Sequence, residues 1–409
     1  MVEQRSDSSI RGSGLGLDRP YPQRRRPLPR RIDDVTPAWL TELLAYRFEG
    51  VVVEGFEEVE RTASHTTKLR LSLQLNETAR TAGLPQHVCL KSNWSGMRTG
   101  DICEREARFY HFVRGRLDAP VPRAFYADWD DDGSGQGIVV MEDLARSPGR
   151  FGSSADHLGV DGVAAGLESL AVLHGSSWAS DRTAHLNWLT PSMDTPVDTE
   201  QVIQFWNYIR VNLADPQYSA VVPAWVYERP ELMQHVLDEL SAYERSLPGP
   251  KGLVHGDAHQ GNSYLRADGE RLWLDWQLAR RGSPWRDVSY FVVSSLTVEE
   301  RRAADRELLA HYLDRLASTG AEGVPSLDGA WEHFVRWPGY GIQAWLGNVN
   351  QWGQRSGAEM VRRSFAAADD YDTVRLLTDG RTPQRAITLG VGAYRLPVEL
   401  QARLDELAG

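Results

Sequence analysis

Two short stretches of this sequence combine residue types that could accept a proton and bind a cation. The first is His255-Gly-Asp257-Ala-His-Gln-Gly-Asn262, in which a carboxylate is followed five residues later by an amide. The second is Asp275-Trp-Gln277, which adds another carboxylate. Carboxylate and amide oxygens are hard ligands that suit Mg²⁺. The first stretch alone could be an ordinary polar loop, so its chemistry depends on what accompanies it.

The other groups that phosphoryl transfer requires are also present in the chain. This reaction needs positioning and neutralisation of charge more than covalent chemistry. Asp257 is the candidate base for an acceptor hydroxyl, and Asn262 and Asp275 are the candidate Mg²⁺ ligands. Lys91 is the candidate partner of the α- and β-phosphates of ATP, and Glu106 could pair with it and fix its direction. The set predicts a kinase that uses ATP and Mg²⁺.

The elements that must position these residues begin with a sheet-rich region before residue 142. A helix is predicted from Thr36, and another over residues 104–117. Short apolar or alternating runs predict a strand that opens with 51–53 and further strands at 69–75, 88–91 and 137–141. Lys91 ends the third of these runs, which places it at a strand end beside a core. The acidic run 130–132 is interpreted as a solvated turn.

The second half of the chain has a mainly helical pattern. Residues 160–174 carry an apolar face and end before Gly175, which is a natural helix end. Thr297 and Glu300 form a capping box that predicts the start of another helix. This half is therefore expected to be a helical region.

A β-hairpin is predicted between the two candidate site stretches. Residues 263–265 and 272–274 are strand-like, and they flank a turn that contains Asp268-Gly269. The loop with Asn262 enters this hairpin, and Asp275 lies at its exit. The hairpin is thus expected to connect the two candidate Mg²⁺ ligands along the chain.

The order of these features resembles that of the protein-kinase-like superfamily. Within it, the chain is similar to the aminoglycoside phosphotransferase and choline kinase family, and most similar to the ecdysteroid-kinase-like (CHK-kinase-like) branch. The motifs typical of that branch are present as Glu106-Ala-Arg-Phe109-Tyr110, Glu142-Asp143-Leu144, Asp275-Trp276-Gln277 and Asp287-Val-Ser-Tyr290. The resemblance runs from about residue 36 to about residue 375.

The resemblance implies an α+β, bilobal protein-kinase-like fold with a sheet-rich N-lobe and a larger helical C-lobe. The expected boundaries are an N-lobe over 32–141, a hinge over 142–146 and a C-lobe over 147–409, after a basic tail over 1–31. By the same resemblance, the backbones of Glu142 and Leu144 would hydrogen-bond adenine at the hinge.

Several polar residues near the motifs have competing interpretations. Glu104 is a rival of Glu106 for the pairing with Lys91, and the Phe-Tyr spacing favours Glu106. His255 is expected to support the loop backbone, and His259 to be an ordinary loop residue. His174, at a predicted helix end, is expected to be structural.

The segment that would cover the nucleotide, residues 62–67, contains no glycine. Protein kinases and P-loop enzymes use Gly-rich loops so that backbone amides can approach phosphate. Here Ser64 and its neighbours could instead offer hydroxyl, ring or backbone donors. Asp275 is followed by Trp-Gln rather than Phe-Gly, and no Ala-Pro-Glu follows it. The absence of this activation segment disfavours a protein substrate.

The aromatic residues of the second half allow two interpretations of the acceptor. They could line an apolar pocket for a lipophilic alcohol, or they could be core. Ile342, Trp345, Leu346, Val349 and Trp352 fall at helical spacing, which favours core for most of them. An aminoglycoside acceptor would need an acidic cleft. A pseudokinase that only binds nucleotide is the alternative function, although the complete set of polar groups argues against it.

The composition limits the class of protein. A chain of 409 residues suggests more than one domain, and the net charge of −11 disfavours nucleic acid and anionic membranes as partners. No apolar run reaches membrane-spanning length. Cys89 and Cys103 form no metal-binding pattern, which predicts a cytoplasmic protein. Residues 1–31 carry eight arginines and predict a disordered basic tail.

Overall fold

The fold is described from a computed structural model, which divides into two compact units. The first, here called the sheet unit, comprises Met1–Phe151, Arg182–Leu189 and Tyr264–Ala279. The second, here called the helical unit, comprises Gly152–Asp181, Thr190–Ser263 and Arg280–Gly409. The structure describes residues 27–46, 48–94, 100–113, 120–154, 156–178, 186–191, 208–209, 211–228, 231–249, 251–347 and 354–378.

A five-stranded antiparallel sheet forms the centre of the sheet unit. Its strands are β1 (Val53–Ala63), β2 (Thr67–Leu75), β3 (His87–Ser92), β4 (Ala124–Trp129) and β5 (Gly137–Glu142). They lie in the order β1-β2-β3-β5-β4. The leucines at alternate positions of β2 are buried, because successive side chains of a strand point to opposite faces. Lys91 of β3 lies opposite Lys68 of β2 and Val139 of β5.

Three helices accompany this sheet, namely α1 (Pro37–Ala45), α2 (Glu77–Thr81) and α3 (Ile102–Arg108). Helix α1 begins at Pro37 because the Thr36 hydroxyl accepts a hydrogen bond from the Trp39 N–H at 3.2 Å. Its apolar residues belong to the core of the sheet unit. Helix α3 continues as a π-helical turn over Phe109–Val113, all of whose residues are buried.

The remaining strands are β6 (Gly149–Phe151), β7 (Gly252–Val254), β8 (Ser263–Arg266), β9 (Arg271–Trp273) and β10 (Arg280–Gly282). Strands β6, β8 and β9 form a three-stranded sheet in that order, and β7 pairs with β10 in the helical unit. Strands β8 and β9 are the predicted hairpin. Its turn needs a glycine because Gly269 has a φ of 90°.

The described helices of the helical unit are α4 (Gly159–Ser177), α5 (Pro216–Ser219), α6 (Ala224–Glu228), α7 (Glu231–Ser246), α8 (Trp285–Ser295), α9 (Val298–Ser318), α10 (Leu327–Phe334), α11 (Pro338–Leu346), α12 (Gln354–Asp370) and α13 (Thr373–Thr378). Every residue of α8 is buried, so this helix runs through the core. Helix α9 begins with the predicted capping box. The Thr297 hydroxyl accepts from the Glu300 N–H at 3.2 Å, and the Glu300 carboxylate accepts from the Thr297 N–H at 3.0 Å.

The predicted fold class, α+β with a sheet-rich N-terminal part and a helical C-terminal part, is confirmed. Three details were wrong. Strand β4 was not predicted, and α4 continues past Gly175 to Ser177. The acidic run 130–132 is not simply solvated, because Asp130 is buried and pairs with Arg30. The expected lobe boundaries stay predictions.

Some predicted features lie outside the described residues. These are most of the basic tail, namely residues 1–26, the end of the helix predicted over 104–117, and Val349 and Trp352 of the aromatic stripe. The described members of that stripe, Ile342, Trp345 and Leu346, are buried in α11, as a core requires. Within the described ranges, the longest and most apolar helices fall short of what crossing a membrane requires.

Candidate active site

A buried lysine lies between two carboxylates in the sheet unit. Lys91 Nζ is 2.7 Å from Glu106 Oε2 and 2.7 Å from Asp275 Oδ1. The side chains of Lys91 and Glu106 are only 4% and 3% exposed, whereas that of Asp275 is 18% exposed. Strand β3, helix α3 and the segment after β9 thus bring together three residues that the sequence places far apart. We call them the lysine cluster.

The charges of the lysine cluster determine its protonation. Burial lowers the pKa of Lys91, but the Asp275 and Glu106 carboxylates outweigh burial, and the pKa lies above its ordinary value. Burial raises the pKa of Glu106; Lys91 opposes that rise and Asp275 adds to it, so the net direction is upward. At neutral pH the lysine is therefore a firmly held cation, with its charge compensated by carboxylates on two sides.

Asp275 has a backbone conformation that few residues adopt. Its φ is 64° and its ψ 62°, in the left-handed region, where aspartate is better tolerated than most residues. The next residue, Trp276, stacks on Phe109 with ring centroids 3.8 Å apart. The Trp276 N–H also donates to Glu106 Oε1 at 3.3 Å. These contacts connect the Asp275 segment to α3 and to the π-helical turn that continues it, and they hold the carboxylate beside Lys91.

The rival glutamate has a different partner. Glu104 Oε1 lies 2.6 Å from a guanidinium nitrogen of Arg108, one turn further along α3. Residues four apart lie on the same side of a helix, whereas Glu106 is two positions away and points elsewhere. The structure therefore gives the ion pair with Lys91 to Glu106, the residue that the Phe-Tyr spacing favours.

Hydrogen bonds and an ion pair hold the end of β5 and the residues that follow it. The Glu142 N–H donates to the Arg123 carbonyl at 2.9 Å, and the Glu142 carboxylate accepts from the Arg123 N–H at 2.7 Å. Asp143 pairs with Arg70 at 2.9 Å. The Leu144 side chain packs in a small apolar cluster with Tyr264. The Asp143–Arg70 pair was not predicted, because nothing in the local sequence relates the two residues.

Ser64 lies in the turn between β1 and β2. Its N–H donates to the Thr66 carbonyl at 2.9 Å, and its hydroxyl lies 3.4 Å from the same oxygen. The turn is thus closed by a local hydrogen bond in the absence of glycine. The structure places Ser64 on the sheet unit, but no described contact joins it to the lysine cluster.

The loop 255–262 in the helical unit is held by a buried aspartate. Asp287, on α8, accepts from the His255 N–H at 2.6 Å and from the Gly256 N–H at 2.9 Å. Its carboxylate also lies 3.2 Å from His174 Nε2. Burial raises the pKa of Asp287. The hydrogen bond with His174 and the neighbouring donors lower it by more than burial raises it, so the pKa lies below its ordinary value. The carboxylate is therefore anionic and holds the loop backbone.

Asp257 and Asn262 meet on this loop. Asn262 Nδ2 donates to Asp257 Oδ2 at 2.9 Å and to the Asp257 carbonyl at 3.0 Å. The Asp257 N–H donates to His255 Nδ1 at 3.2 Å, which gives His255 the structural role expected of it. The Asp257 side chain is 18% exposed. A carboxylate fixed in this way, and still accessible, has the properties of a general base.

His259 has more contacts than an ordinary loop residue. It is buried, its Nδ1 accepts from the Gly261 N–H at 3.1 Å, and its Nε2 lies 3.8 Å from Asp257 Oδ2. Its ring meets that of Trp345 edge to face, with centroids 5.3 Å apart. His259 thus shapes the loop around Asp257.

Comparison with known proteins identifies the family. A model of the phosphotransferase enzyme family (APH) matches residues 98–323, which is more than half of the chain and includes the loop 255–262 and Asp275. The chain belongs to this family. It is a phosphotransferase, as the polar residues of the two units predict. No curated protein matches the chain.

Two solved structures illustrate what the phosphotransferase is similar to. Spectinomycin phosphotransferase APH(9)-Ia, in complex with ADP and spectinomycin, is 12% identical, with a TM-score of 0.48 over 84% of this chain and 100% of that chain. Ethanolamine kinase of Plasmodium vivax is 8% identical, with a TM-score of 0.45 over 82% of this chain and 87% of that chain. At these identities and scores, the similarities say nothing about the acceptor of this chain.

The aromatic residues near Asp257 in the phosphotransferase are tightly packed. The Tyr340 hydroxyl donates to the Gly256 carbonyl at 3.2 Å, and the Arg286 guanidinium lies 3.8 Å from the centre of the Tyr340 ring. Burial raises the pKa of Tyr340 to about 12, so the hydroxyl keeps its proton and remains a donor. Tyr340 and Arg286 were not among the predicted site residues. Nothing in the sequence around either residue relates it to the loop 255–262.

The donor atoms present fit Mg²⁺ better than a metal that needs a cage of protein ligands. Within the described ranges, no group of three or more His, Cys, Asp or Glu residues could hold a metal ion. Mg²⁺ is usually bound by one or two carboxylates, substrate phosphates and water. In the sheet unit, Asp275 supplies a carboxylate. In the helical unit, the Asn262 nitrogen donates to Asp257, so the Asn262 oxygen is the atom of that side chain that could bind a cation.

Proposed function

We propose that this phosphotransferase moves the γ-phosphate of ATP to a hydroxyl of a small molecule. The observation that carries the proposal is the lysine cluster, in which a buried cation is held by Glu106 on one side and by the more exposed Asp275 on the other. Such a lysine is oriented for a phosphate and kept charged. The motifs around Glu106, Glu142 and Asp275 support placing the chain in the ecdysteroid-kinase-like branch.

The nucleotide is assigned to the sheet unit. Lys91 binds the α- and β-phosphates, and Glu106 holds the lysine in direction. The Glu142 carbonyl and the Leu144 N–H bind adenine, since the Glu142 N–H is already donated to Arg123. Ser64 offers its hydroxyl to the phosphates. These roles agree with the expected N-lobe over 32–141 and hinge over 142–146, which we retain, as we retain a cytoplasmic location.

The chemistry is assigned to the loop 255–262, in the expected C-lobe over 147–409. Asp257 accepts the proton of the acceptor hydroxyl while the hydroxyl oxygen attacks the γ-phosphorus. The bond from that phosphorus to the β,γ-bridging oxygen breaks. Asn262 keeps the Asp257 carboxylate in place through its Nδ2. Asn262 and Asp275 would hold Mg²⁺, which neutralises charge on the phosphates when bound.

The acceptor is proposed to be a small and lipophilic alcohol. Tyr290, Tyr340 and Trp345 are buried around the loop that carries Asp257, and this apolar environment supports a lipophilic acceptor. An aminoglycoside is the second candidate, because the family includes kinases of that class and the net charge of −11 would attract it. A pseudokinase is disfavoured by the complete set of polar groups.

The test is a turnover screen with paired variants. Wild-type protein with ATP and Mg²⁺ is offered alcohols, phenols, steroids, aminoglycosides and choline-like compounds, and the product is detected by the added mass of one phosphate. Asp257→Asn is expected to lower kcat about 10²- to 10⁴-fold while it still binds ATP. Asp268→Asn, in the exposed hairpin turn, is the matched control and should retain turnover. ATP binding without transfer to any compound would favour the pseudokinase.

A further inference from the structure

A short segment before α1 is fixed to the turn between β4 and β5. We call it the N-terminal strap, residues 28–30. The Leu28 side chain is 1% exposed and belongs to the core of the sheet unit, and its N–H donates to Asp130 Oδ1 at 3.3 Å. Arg30 pairs with Asp130 at 3.2 Å and with Asp132 at 2.6 Å. The strap is thus held by one apolar anchor and by charge.

The carbonyl of Pro29 connects the strap to the end of β3. It accepts from Trp94 Nε1 at 2.9 Å and from Gln136 Nε2 at 2.7 Å. The same Gln136 nitrogen donates to Ser92 Oγ at 3.0 Å, and Ser92 Oγ donates to the Gly137 carbonyl at 2.7 Å. Gln136 is 3% exposed, so water hardly competes for these bonds. Ser92 is the residue directly after Lys91.

The same turn also contacts the first turn of α3. The Glu104 N–H donates to the Gly135 carbonyl at 3.1 Å. A Cβ atom on Gly137 would overlap the Cys103 carbonyl, so α3 can approach the turn this closely only because residue 137 is glycine. Residues 135–137 therefore contact both the strand end that follows Lys91 and the helix that carries Glu106.

We propose that the N-terminal strap is a positioning element for the Lys91–Glu106 ion pair and thereby for binding of the nucleotide phosphates. By holding Gln136, it fixes the turn that sets the spacing between the end of β3 and the start of α3. The strap residues touch no reacting atom in this scheme. The inference rests on the proposed role of Lys91 in binding phosphate, and it adds a segment that none of the candidate site motifs includes.

The decisive variant is Gln136→Leu, which keeps the volume of the side chain and removes both hydrogen bonds. We expect the Kd and the KM of ATP to rise about tenfold, because a displaced Lys91 is poorly placed for the phosphates, while the KM of the acceptor stays unchanged. Amide hydrogens of β3 and α3 should exchange faster in the full-length protein. Arg30→Ala should show the same changes to a smaller degree.

Two controls separate positioning from general stability. Val51→Ala removes a buried side chain from the same core, and it should lower the melting temperature without changing the Kd of ATP. Arg31→Ala removes the neighbouring arginine, whose pairing with Asp33 is exposed, and it should behave like wild type.

The outcomes distinguish the strap from the proposed function. If Gln136→Leu leaves both exchange in β3 and α3 and the Kd of ATP at wild-type values, the strap does not position the pair and the inference is overturned. If wild-type protein binds no ATP, the proposed function fails, and exchange in β3 and α3 still decides whether the strap holds Lys91 and Glu106. Equal effects of Gln136→Leu and Val51→Ala would also overturn it.

Discussion

A lysine that is almost fully buried is tolerated only where its charge is compensated, and Lys91 is compensated twice. Its ion pairs with Glu106 and Asp275 are both 2.7 Å long. Breaking a buried pair by removing one member costs more than the pair contributes, because a charge remains without its partner. Here the removal of Lys91 would leave two carboxylates close together.

We therefore expect Lys91→Met to lower the free energy of unfolding by about 3–5 kcal/mol at neutral pH. The pKa of Glu106 is already raised in the wild type, and it should rise further without the lysine. A carboxyl group whose pKa is raised in the folded state contributes stability below the ordinary glutamate pKa of about 4.3. That contribution is lost as the pH rises through the pKa of the folded state. Urea unfolding at several pH values should show the deficit of Lys91→Met growing from acid to neutral pH; a deficit independent of pH would contradict this.

At the scale of single residues, the sequence predicts those site residues that their neighbours along the chain identify. Lys91 could be chosen because it ends a strand pattern, Glu106 because of the Phe-Tyr spacing after it, and Asp257 because Asn262 follows it in the same loop. The Asp143–Arg70 pair and the contact of Arg286 with Tyr340 could not, since each joins residues whose proximity depends on tertiary packing. His259 was underestimated for the same reason: its contacts with Trp345 come from another helix.

At the scale of elements, α8 holds the backbone at the start of the loop 255–262 through the Asp287 side chain. Asp287→Asn keeps the shape but removes the charge that accepts the His255 and Gly256 N–H groups. We expect kcat to fall about 10- to 100-fold, because a shifted base is poorly placed, with the Kd of ATP nearly unchanged. Turnover and ATP titrations measure the two effects, and equal losses in both would contradict the assignment.

The pH dependence of that variant follows from the lowered pKa of Asp287. A carboxylate of lowered pKa contributes stability above the ordinary aspartate pKa of about 3.9, and this contribution is lost as pH falls through the pKa of the folded state. Wild type should therefore lose its stability advantage over Asp287→Asn as the solution is acidified. Urea unfolding between pH 7 and pH 3 would show this, and a constant difference would refute it.

The start of α9 offers a test in which stability and activity should separate. Thr297→Ala removes one half of the capping box and should cost about 1 kcal/mol of unfolding free energy. Turnover should be unaffected, since the box contacts no candidate site residue. Thr297→Ser keeps the hydroxyl and is the control; a loss of activity in Thr297→Ala alone would show that α9 has a further role.

Elements were predictable where burial is one-sided. Strand β4 was missed because all six of its residues are buried, so no alternation marks it. Helix α4 was ended too early because Gly175 was taken as a helix end. In the structure a Cβ atom there would overlap Thr319, so this glycine allows the end of α9 to approach α4 closely.

At the scale of the whole molecule, ligand binding should appear as stability. A ligand at 100 times its Kd adds about 2.7 kcal/mol to the unfolding free energy. ATP with Mg²⁺ should therefore raise the melting temperature more than ATP with EDTA if Asp275 and Asn262 hold the metal, as proposed. In Asp275→Asn this difference should largely vanish, while Asp268→Asn keeps it. If ATP raises the melting temperature of wild type equally with Mg²⁺ and with EDTA, the proposed metal ligands are contradicted.

The composition of the chain predicted little about how its segments combine. Patterns are interpreted in order along the sequence, and the sheet unit is not continuous in that order. It includes Tyr264–Ala279, which brings Asp275 and Trp276 to residues more than a hundred positions earlier. No periodicity or turn signal in either stretch indicates the other, so only the family resemblance could connect them.

This interrupted connectivity has a consequence for how the protein is made. A ribosome releases the N-terminal part of a chain first, and domains usually fold in that order. Here, when residue 151 has emerged, Lys91 has Glu106 but lacks Asp275, and Phe109 lacks the tryptophan that stacks on it. At 5–20 residues per second, the further synthesis needed to reach Trp276 takes about 6–25 seconds. During that interval the nascent sheet unit is incomplete, and it should depend on chaperones more than an N-terminal domain that is continuous in sequence.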